Sequence, residues 1–462
     1  MKTKTLLIGS CLAAATLVLA LQQPSDVIIK ITKGERTALA VPDLRGAGEA
    51  QRFMDLFNQT LWKDLESSGL FKMVAKSLYP LEVPQRPEDF RPPLPAPPVR
   101  RGAPAQPVRQ GPWLADWSGP PVSANYLAFG YTAVQAGQMV LRGWLYNVTQ
   151  ADLANAQVFG KTYLAPLGEE GARKLAHDFA ADILKQFGGA SLAGTKIYCV
   201  STRTGAGIKE IWSMDPDGSN QKQITFYKSI CTTPAVSPDG TKIAFTSYSG
   251  GNPAIFVHSL ETGRRLRFYG PVSSMTATPE FTPDGQQIVF SSSIAGWAQL
   301  YAANLDGSGL RRISYVRAIE VEPKVNPKTG AQIVFVSGRS GPQQIYRMNM
   351  DGADVQMLTS GEGQASNPSW HPDGQHIAFA WTRGYAPGNF NIFVMDVGTR
   401  SYVQLTHGAG RNENPGWAPD GVHLVFSSNR SGSQQIWTML ADGTQLQQLS
   451  TQGQNTMPVW GK

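Results

Sequence analysis

Cysteine is scarce, with three in 462 residues. Cys11 falls inside a leader-like N-terminus, which leaves Cys199 and Cys231. Two thiols cannot build a disulfide scaffold or a cysteine-rich zinc module. Cys199 sits in a core-like strand pattern, so buried thiols are expected; a disulfide is the alternative in an exported chain. Charge is also thin: 16% of residues are charged, and the formal net charge is +7. Losing Lys2 and Lys4 with a leader would lower that to +5, which is no footprint for nucleic acid. The six histidines are scattered. His371 and His376 flank a Pro-Asp-Gly turn with no evident third ligand, so no metal site is expected there.

Long apolar runs are missing beyond the first twenty residues, and with them any stable membrane insertion; about 18 consecutive apolar residues would be needed. No Gly-x-Ser-x-Gly elbow is present, so the hydrolase module found beside some propellers is lacking. Gly205-Ala-Gly207 stands alone, without the strand and helix that a phosphate loop requires. Asp215-Pro-Asp217-Gly218-Ser-Asn opens like a calcium loop, but its twelfth position is Phe226, so a hairpin turn is expected.

What the chain does have is a repeat. Pro368-Ser-Trp-His-Pro-Asp-Gly-Gln-His-Ile377-Ala-Phe379 reads as strand, turn and strand, because Asp-Gly between apolar runs supplies the positive φ of a hairpin. The pattern recurs at Pro234, Pro279, Pro323 and Pro415, each leading into an Ile/Leu-x-Phe strand, and Pro458-Val-Trp460 follows as a fragment. A period of 43–47 residues holding only strand patterns marks a β-propeller with one four-stranded blade per repeat. Outer-strand patterns at Ile211, Ile255, Leu300, Ile345, Ile392 and Ile436 number six. The five complete units therefore need a sixth blade built from both ends, with Gly194–Val200 joined to Met457–Trp460.

The chain reads in order as a leader over 1–20, an α/β domain over 21–189 and a six-bladed propeller over 190–462. Lys2 and Lys4 before an apolar core, with Val18-Leu-Ala20 as cleavage site, predict a secretory signal. The apolar run continues past Cys11, which argues against lipidation. Val27–Ile31 and Thr37–Val41 read as strands joined by a turn around Gly34. A helix is expected over Gly48–Ser68 with Phe53, Leu56, Phe57, Leu61 and Leu65 on one face, then a strand over Leu70–Val74. Strand patterns over Tyr126–Gly130, Met139–Tyr146 and Val158–Tyr163 precede a helix over Glu169–Phe187. Between them, 80–121 carries 13 of the 32 prolines, excluding helix and central strand. A surface insertion or linker is the favoured reading of that stretch, and a partner-binding polyproline segment the other.

The loops entering the innermost strands converge on the mouth of the channel, so residues just before each anchor proline are expected to cluster. They include Thr232, Thr233, Thr276, Thr278, Glu320, Glu322, Ser366, Asn367, Asn412, Glu413, Asn414, Asn455 and Thr456, a small, polar and partly acidic set suited to a partner's backbone and basic side chains. No catalytic set emerges, and no cofactor is expected; a cation in the channel is left open.

These features together resemble the TolB family, the periplasmic propellers of the Tol–Pal system. Ile29-Lys-Ile-Thr-Lys-Gly with Ala38-Leu-Ala-Val-Pro-Asp looks like the family's opening strands, and Leu61–Phe71 like its first helix and exit. Ala176–Leu184 sits at its second helix. The resemblance implies a periplasmic, monomeric, non-enzymatic adaptor for outer-membrane integrity and constriction at division. It would bind a Pal-type lipoprotein at the mouth. It would bind a TolA-type inner-membrane protein through the N-terminus, here Leu21, Gln22, Gln23, Asp26, Val27, Ile29 and Lys30. Ile230 stands where the family can place a histidine. The alternatives are a channel-site lyase or hydrolase, or a scaffold of another envelope machine.

Overall fold

The computed structural model describes residues 36–94 and 108–462. The leader, Val27–Ile31 and the N-terminal partner-binding residues Leu21, Gln22, Gln23, Asp26, Val27, Ile29 and Lys30 lie outside these residues. Among the described residues, no helix is long and apolar enough to cross a membrane.

The first domain is a mixed sheet with two helices on one face. Its elements are β1 (Thr37–Ala40), α1 (Met54–Ser67), β2 (Phe71–Met73), β3 (Tyr126–Gln135), β4 (Gln138–Asn147), β5 (Gln157–Pro166) and α2 (Glu169–Gln186). The strand order is β2-β1-β3-β4-β5, with Arg45–Gly46 pairing to β3. β1 lies between β2 and β3 and runs parallel to both. The expected helix over 48–68 is split: Gly48–Phe53 forms a tight 3-10 turn before α1 begins. Phe57, Leu61 and Leu65 of α1 and Leu175, Phe179 and Ile183 of α2 recur on one helical face, and all six are fully buried against the sheet.

The proline-rich stretch is more than a surface insertion. Its flanks cover the opposite face of the sheet, where Phe90, Leu114 and Trp117 are buried with Phe129 and Tyr146. Leu94 N–H donates to Val108 O at 3.1 Å, so the two flanks meet across 95–107, which lie outside the described residues. Proline sets an extended chain there, and the interspersed aromatics give that chain something to bury.

Six four-stranded blades follow. Blades 1 to 5 begin at Cys231, Thr276, Glu320, Ala365 and Asn412, and the sixth combines Asn455–Gly461 with Lys196–Ser201, Glu210–Met214 and Lys222–Gln223. The closure predicted from the repeat count is thus present: the last strand of the chain is the innermost strand of the sixth blade. Apolar clusters fill the spaces between neighbouring blades, as where Ala244 and Val257 of blade 1 meet Ile288 and Phe290 of blade 2. Cys199 and Cys231 are both free, buried in different clusters, and burial pushes each thiol up to about 12.

The α/β domain rests on the outer hairpins of blades 5 and 6. Lys63 Nζ lies 3.0 Å from Asp217 Oδ2 and Arg36 Nη2 3.3 Å from Asp442 Oδ2, while Gln445 Nε2 donates to Glu66 O at 3.4 Å. Gly69, at φ +69°, ends α1 against Leu440; a Cβ there would stand 2.8 Å from its Cδ1. The Asp215–Asn220 turn is therefore a hairpin end that faces this interface. Burial disfavours the Asp217 charge, but bonds from Ser219 and the Lys63 pair hold its carboxyl at about 2.

Behind that contact, His177 on α2 meets Asp64 on α1, Nδ1 to Oδ2, at 2.6 Å. The bond to Asp64 outweighs the opposing effect of burial and raises the imidazole above its ordinary 6.5. A raised folded value stabilises the fold fully below the unfolded value, and the stabilisation is lost as pH rises through the folded one. The side chain is 35% exposed, so the term is modest, about 0.5–1 kcal/mol. Urea denaturation at pH 6 and pH 9 should show wild type losing that increment while His177→Gln does not. Equal pH dependence in the two proteins would remove this pair from the account.

Candidate functional site at the channel mouth

Each innermost strand carries one irregularity at the same place. Its ladder slips between two residues before the anchor proline and the residue after it, as between Thr232 and Ala235 or Glu413 and Gly416. At the slip, the residue just before proline takes a left-handed backbone: Thr233 (φ 49°), Thr278 (53°), Glu322 (55°), Asn367 (52°), Asn414 (52°) and Met457 (50°). Each such residue costs about 1–2 kcal/mol, and the two β-branched threonines are the worst suited. Six repeats of one strained conformation around one axis mean that the surrounding structure enforces it.

The enforcement is a relay of hydrogen bonds around the channel. Thr278 N–H donates to Thr246 Oγ1 at 3.1 Å, and Thr246 also holds Thr233 Oγ1 at 2.7 Å. Glu322 N–H then donates to Thr278 Oγ1 (3.4 Å), Asn367 N–H to Glu322 Oε2 (2.7 Å) and Asn414 N–H to Asn367 Oδ1 (3.3 Å). In blades 2 to 5 the left-handed residue turns its amide toward the preceding blade and its side chain toward the axis. Thr233, Thr278, Glu322, Asn367 and Asn414 line the channel with the anchor prolines. About 110 Å³ of the channel admits a water-sized sphere, room for several waters but short of the few hundred Å³ of a small-molecule pocket.

The channel is charged on one side. Lys324 Nζ reaches Glu280 Oε2 at 2.6 Å, beside Glu322, whose carboxylate also accepts Asn367 Nδ2 at 3.1 Å. Burial pushes both glutamates up, and Lys324 opposes this in each case. For Glu322 the Asn367 bonds also oppose the rise, while the Glu413 charge adds to it.

One step further out, Thr232, Ser366, Glu413 and Thr456 are partly exposed at the rim. Glu413 pairs with Arg411 at 2.7 Å. The set expected from the sequence is not all rim, however. Thr276, Glu320, Asn412 and Asn455 are buried, because the first residue of each strand is wedged against the previous blade. Glu320 N–H donates to Ala298 O and Asn455 N–H to Gln434 O, both at 2.8 Å. Three of the four side chains meet an arginine of their own blade: Arg339 bonds Glu320, Arg430 Nη2 donates to Asn412 Oδ1 (2.8 Å), and Arg203 Nη2 to Asn455 Oδ1 (2.9 Å). Thr276 instead meets Ser292, Oγ1 to Oγ, at 3.1 Å. The backbone bonds tie these strand starts to the previous blade, while the arginine bonds tie the first strand of a blade to the loop after its own second strand.

The rim is asymmetric, which the repeat pattern alone does not show. On blades 1 to 3 the loops at this end expose Ile230, Tyr248, Val272, Ile294, Trp297 and Ile319. Two residues past the second strand, blades 1 and 2 carry Ser249 and Ile294, but blades 3 to 6 carry Arg339, Arg383, Arg430 and Arg203. The mouth is thus an apolar arc facing an arginine arc across an acidic channel. The visible signal was substitution at one fixed offset from each second strand.

Fold and site together define a six-bladed β-propeller, closed by its own last strand and carrying an α/β domain on its outer hairpins. The description "TolB beta propeller domain" (PD40) matches residues 184–386 and 357–462. The chain belongs to the TolB propeller family. It is 35% identical over 147 residues to the Protein TolB homolog of Chlorobium chlorochromatii, 32% of each chain. It is 29% identical over 265 residues to the Tol-Pal system protein TolB of Jannaschia sp., 55% of this chain and 53% of that one. The matched stretches thus span about a third to a half of these relatives. The crystal structure of TolB from Acinetobacter baumannii superposes with a TM-score of 0.72 over 93% of this chain and 97% of that one. Its identity is 21%, so it speaks for the fold.

Proposed function

We propose that the protein is a periplasmic adaptor of the Tol–Pal system and not an enzyme, with 1–20 as its export signal. The propeller mouth binds a Pal-type peptidoglycan-associated lipoprotein, and the N-terminal segment from Leu21 to Lys30 binds a TolA-type inner-membrane protein. Joining an energised inner-membrane partner to an outer-membrane lipoprotein would support envelope integrity and constriction at division. The observation that carries the reading is the ring of left-handed residues beneath a rim of partly exposed polar side chains. It presents a fixed, strained, preorganised surface to a partner, which is how affinity is gained without chemistry. The small channel volume supports the same reading over a channel-site lyase or hydrolase.

The contact set is Thr232, Thr233, Thr278, Glu322, Ser366, Asn367, Glu413, Asn414 and Thr456. Mature protein immobilised as bait should capture a peptidoglycan-binding lipoprotein from solubilised envelopes. A Ser366→Lys/Glu413→Lys/Thr456→Lys variant, changed only at partly exposed positions, should capture at least about 10-fold less, since like charges against a basic partner cost several kcal/mol. Equal capture would move the site elsewhere, and no captured lipoprotein would overturn the partner. Deleting 21–26 should weaken TolA-type capture while leaving the fold and lipoprotein capture intact.

A further inference from the structure

We propose that the inner hairpin of blade 4, His371-Pro-Asp373-Gly-Gln-His376, is a binding site for a divalent transition metal of the zinc type. Read from sequence, the two histidines lack a third ligand; the fold supplies it as Asp373. His371 Nδ1 stands 3.0 Å from Asp373 Oδ1, and His376 Nδ1 stands 2.7 Å from Asp373 Oδ2. One donor atom from each of the three lies within 4.8 Å of the others. A tetrahedral ion at about 2.0–2.2 Å spaces its ligand atoms about 3.3–3.6 Å apart, so the two close nitrogen–oxygen pairs open and the rings turn when one binds.

The outer partners of both rings are those a metal ligand uses. A ligating histidine gives its second ring N–H to a carbonyl or carboxylate, which fixes the tautomer. His371 Nε2 lies 2.7 Å from Gly421 O in the next blade's turn, so its proton belongs there and Nδ1 keeps a lone pair. His376 is 2% exposed, and its Nε2 is buried with no hydrogen-bond partner. That nitrogen faces Asp396 Oδ2 at 3.7 Å. While His376 Nδ1 carries the proton bonded to Asp373, Nε2 turns a lone pair toward a carboxylate. An ion on Nδ1 moves the proton to Nε2, which can then donate a hydrogen bond to Asp396 once the two close in from 3.7 Å. The ion would also replace the bond from Asp373 N–H to His371 Nδ1, now 3.1 Å.

Comparison across the blades shows that the turn itself does not require these residues. The place of His371 is held by Ser237, Thr282, Asn326 and Ala418 in the other complete blades, and that of His376 by Lys242, Gln287, Gln332 and His423. The serine does the local work alone, with Ser237 Oγ donating to Asp239 Oδ1 at 2.5 Å. Blade 5 keeps one histidine, His423, on Asp420 at 2.6 Å. Only in blade 4 do two imidazoles flank the carboxylate. Asp373 keeps 32% of its side chain exposed, which gives an ion its way in and leaves a position for water. Two imidazoles and one carboxylate suit zinc, cobalt, nickel or copper and not calcium or magnesium.

The test uses chelator-treated mature protein titrated with Co²⁺, read by its visible d–d absorption and by competition with Zn²⁺. One ion per chain is expected. His371→Ser and His376→Gln borrow the residues of blades 1 and 2, so the turn should fold, and each should weaken binding at least about 10-fold. His423→Gln should leave it unchanged. Absence of stoichiometric binding in wild type, or wild-type affinity in both site variants, would overturn the proposal. So would loss of binding in His423→Gln. Should one site variant fail to fold, the other still decides, together with a Zn²⁺-dependent rise in the wild-type melting temperature.

Discussion

Replacing Glu320 with alanine should cost about 3 kcal/mol of folding stability, more than any single change among the partly exposed rim positions. Glu320 is fully buried; Oε1 accepts Ser337 Oγ at 3.0 Å and the guanidinium of Arg339, while Oε2 has no hydrogen-bond partner. Removing the carboxylate leaves Arg339 without its counter-charge, and that orphaned cation is the expensive part. Arg339 keeps 22% of its side chain exposed and lies over Tyr346 at 5.0 Å, so the cost should fall at the low end of the usual 3–5 kcal/mol range. Glu320→Asn gives a sharper comparison. Blades 5 and 6 place Asn412 and Asn455 at the same position against Arg430 and Arg203. Asparagine can therefore accept from Arg339 as its counterparts do, and the loss should shrink to about 1–2 kcal/mol. Guanidinium denaturation midpoints decide this. If alanine and asparagine cost the same, Arg339 does not depend on its partner. If neither costs anything, the buried Glu320–Arg339 pair does not stabilise its blade. The distinction governs partner experiments too, because a lysine at 320 would reduce capture by damaging the propeller.

The blades were legible because their signals are local. Pro-Asp-Gly, the alternation Ile243-Ala-Phe245 and the spacing of anchor prolines need no knowledge of neighbours, and the count of outer strands forced the closing blade. The site was legible only to the nearest few residues. Whether Thr276 or Thr278 faces the channel depends on a ladder slip held by the preceding blade, which the local alternation does not reveal. Both are threonines of the same strand; one is buried and the other lines the channel. The burial of the proline-rich flanks is hidden for a related reason. Proline content excludes regular structure but says nothing about burial, and Phe90 and Trp117 were the residues to weigh. The apolar arc of Ile294, Trp297 and Ile319 was hidden because single exposed apolar residues mean little until they share one rim.

Deleting Asn455–Lys462 should abolish cooperative folding of the propeller, and Trp460→Ala alone should cost about 3–5 kcal/mol. The final strand is the innermost of the sixth blade, pairing Asn455 with Ser201 and Trp460 with Ile197. Without it, Lys196–Ser201 becomes a bare edge of mostly buried residues facing an open gap, a template for pairing with another chain. Trp460 concentrates much of this closure. Its ring is 7% exposed and packs in the cluster that joins Ile197 and Cys199 of blade 6 to Val425 and Ile436 of blade 5. Its Nε1 donates to Thr195 Oγ1 at 2.9 Å, a bond that truncation to alanine removes, although the hydroxyl keeps its own bond to Leu192 O at 2.7 Å. Size-exclusion chromatography and thermal scanning give the readout. The truncated chain should elute as aggregate and melt without a sharp transition; Trp460→Ala should stay monomeric but melt earlier. A monomeric truncated protein with a sharp transition would mean that five blades hold without closure. In that case a partner's strand could replace the last one, and the mouth would lose the fixed geometry on which the adaptor reading depends.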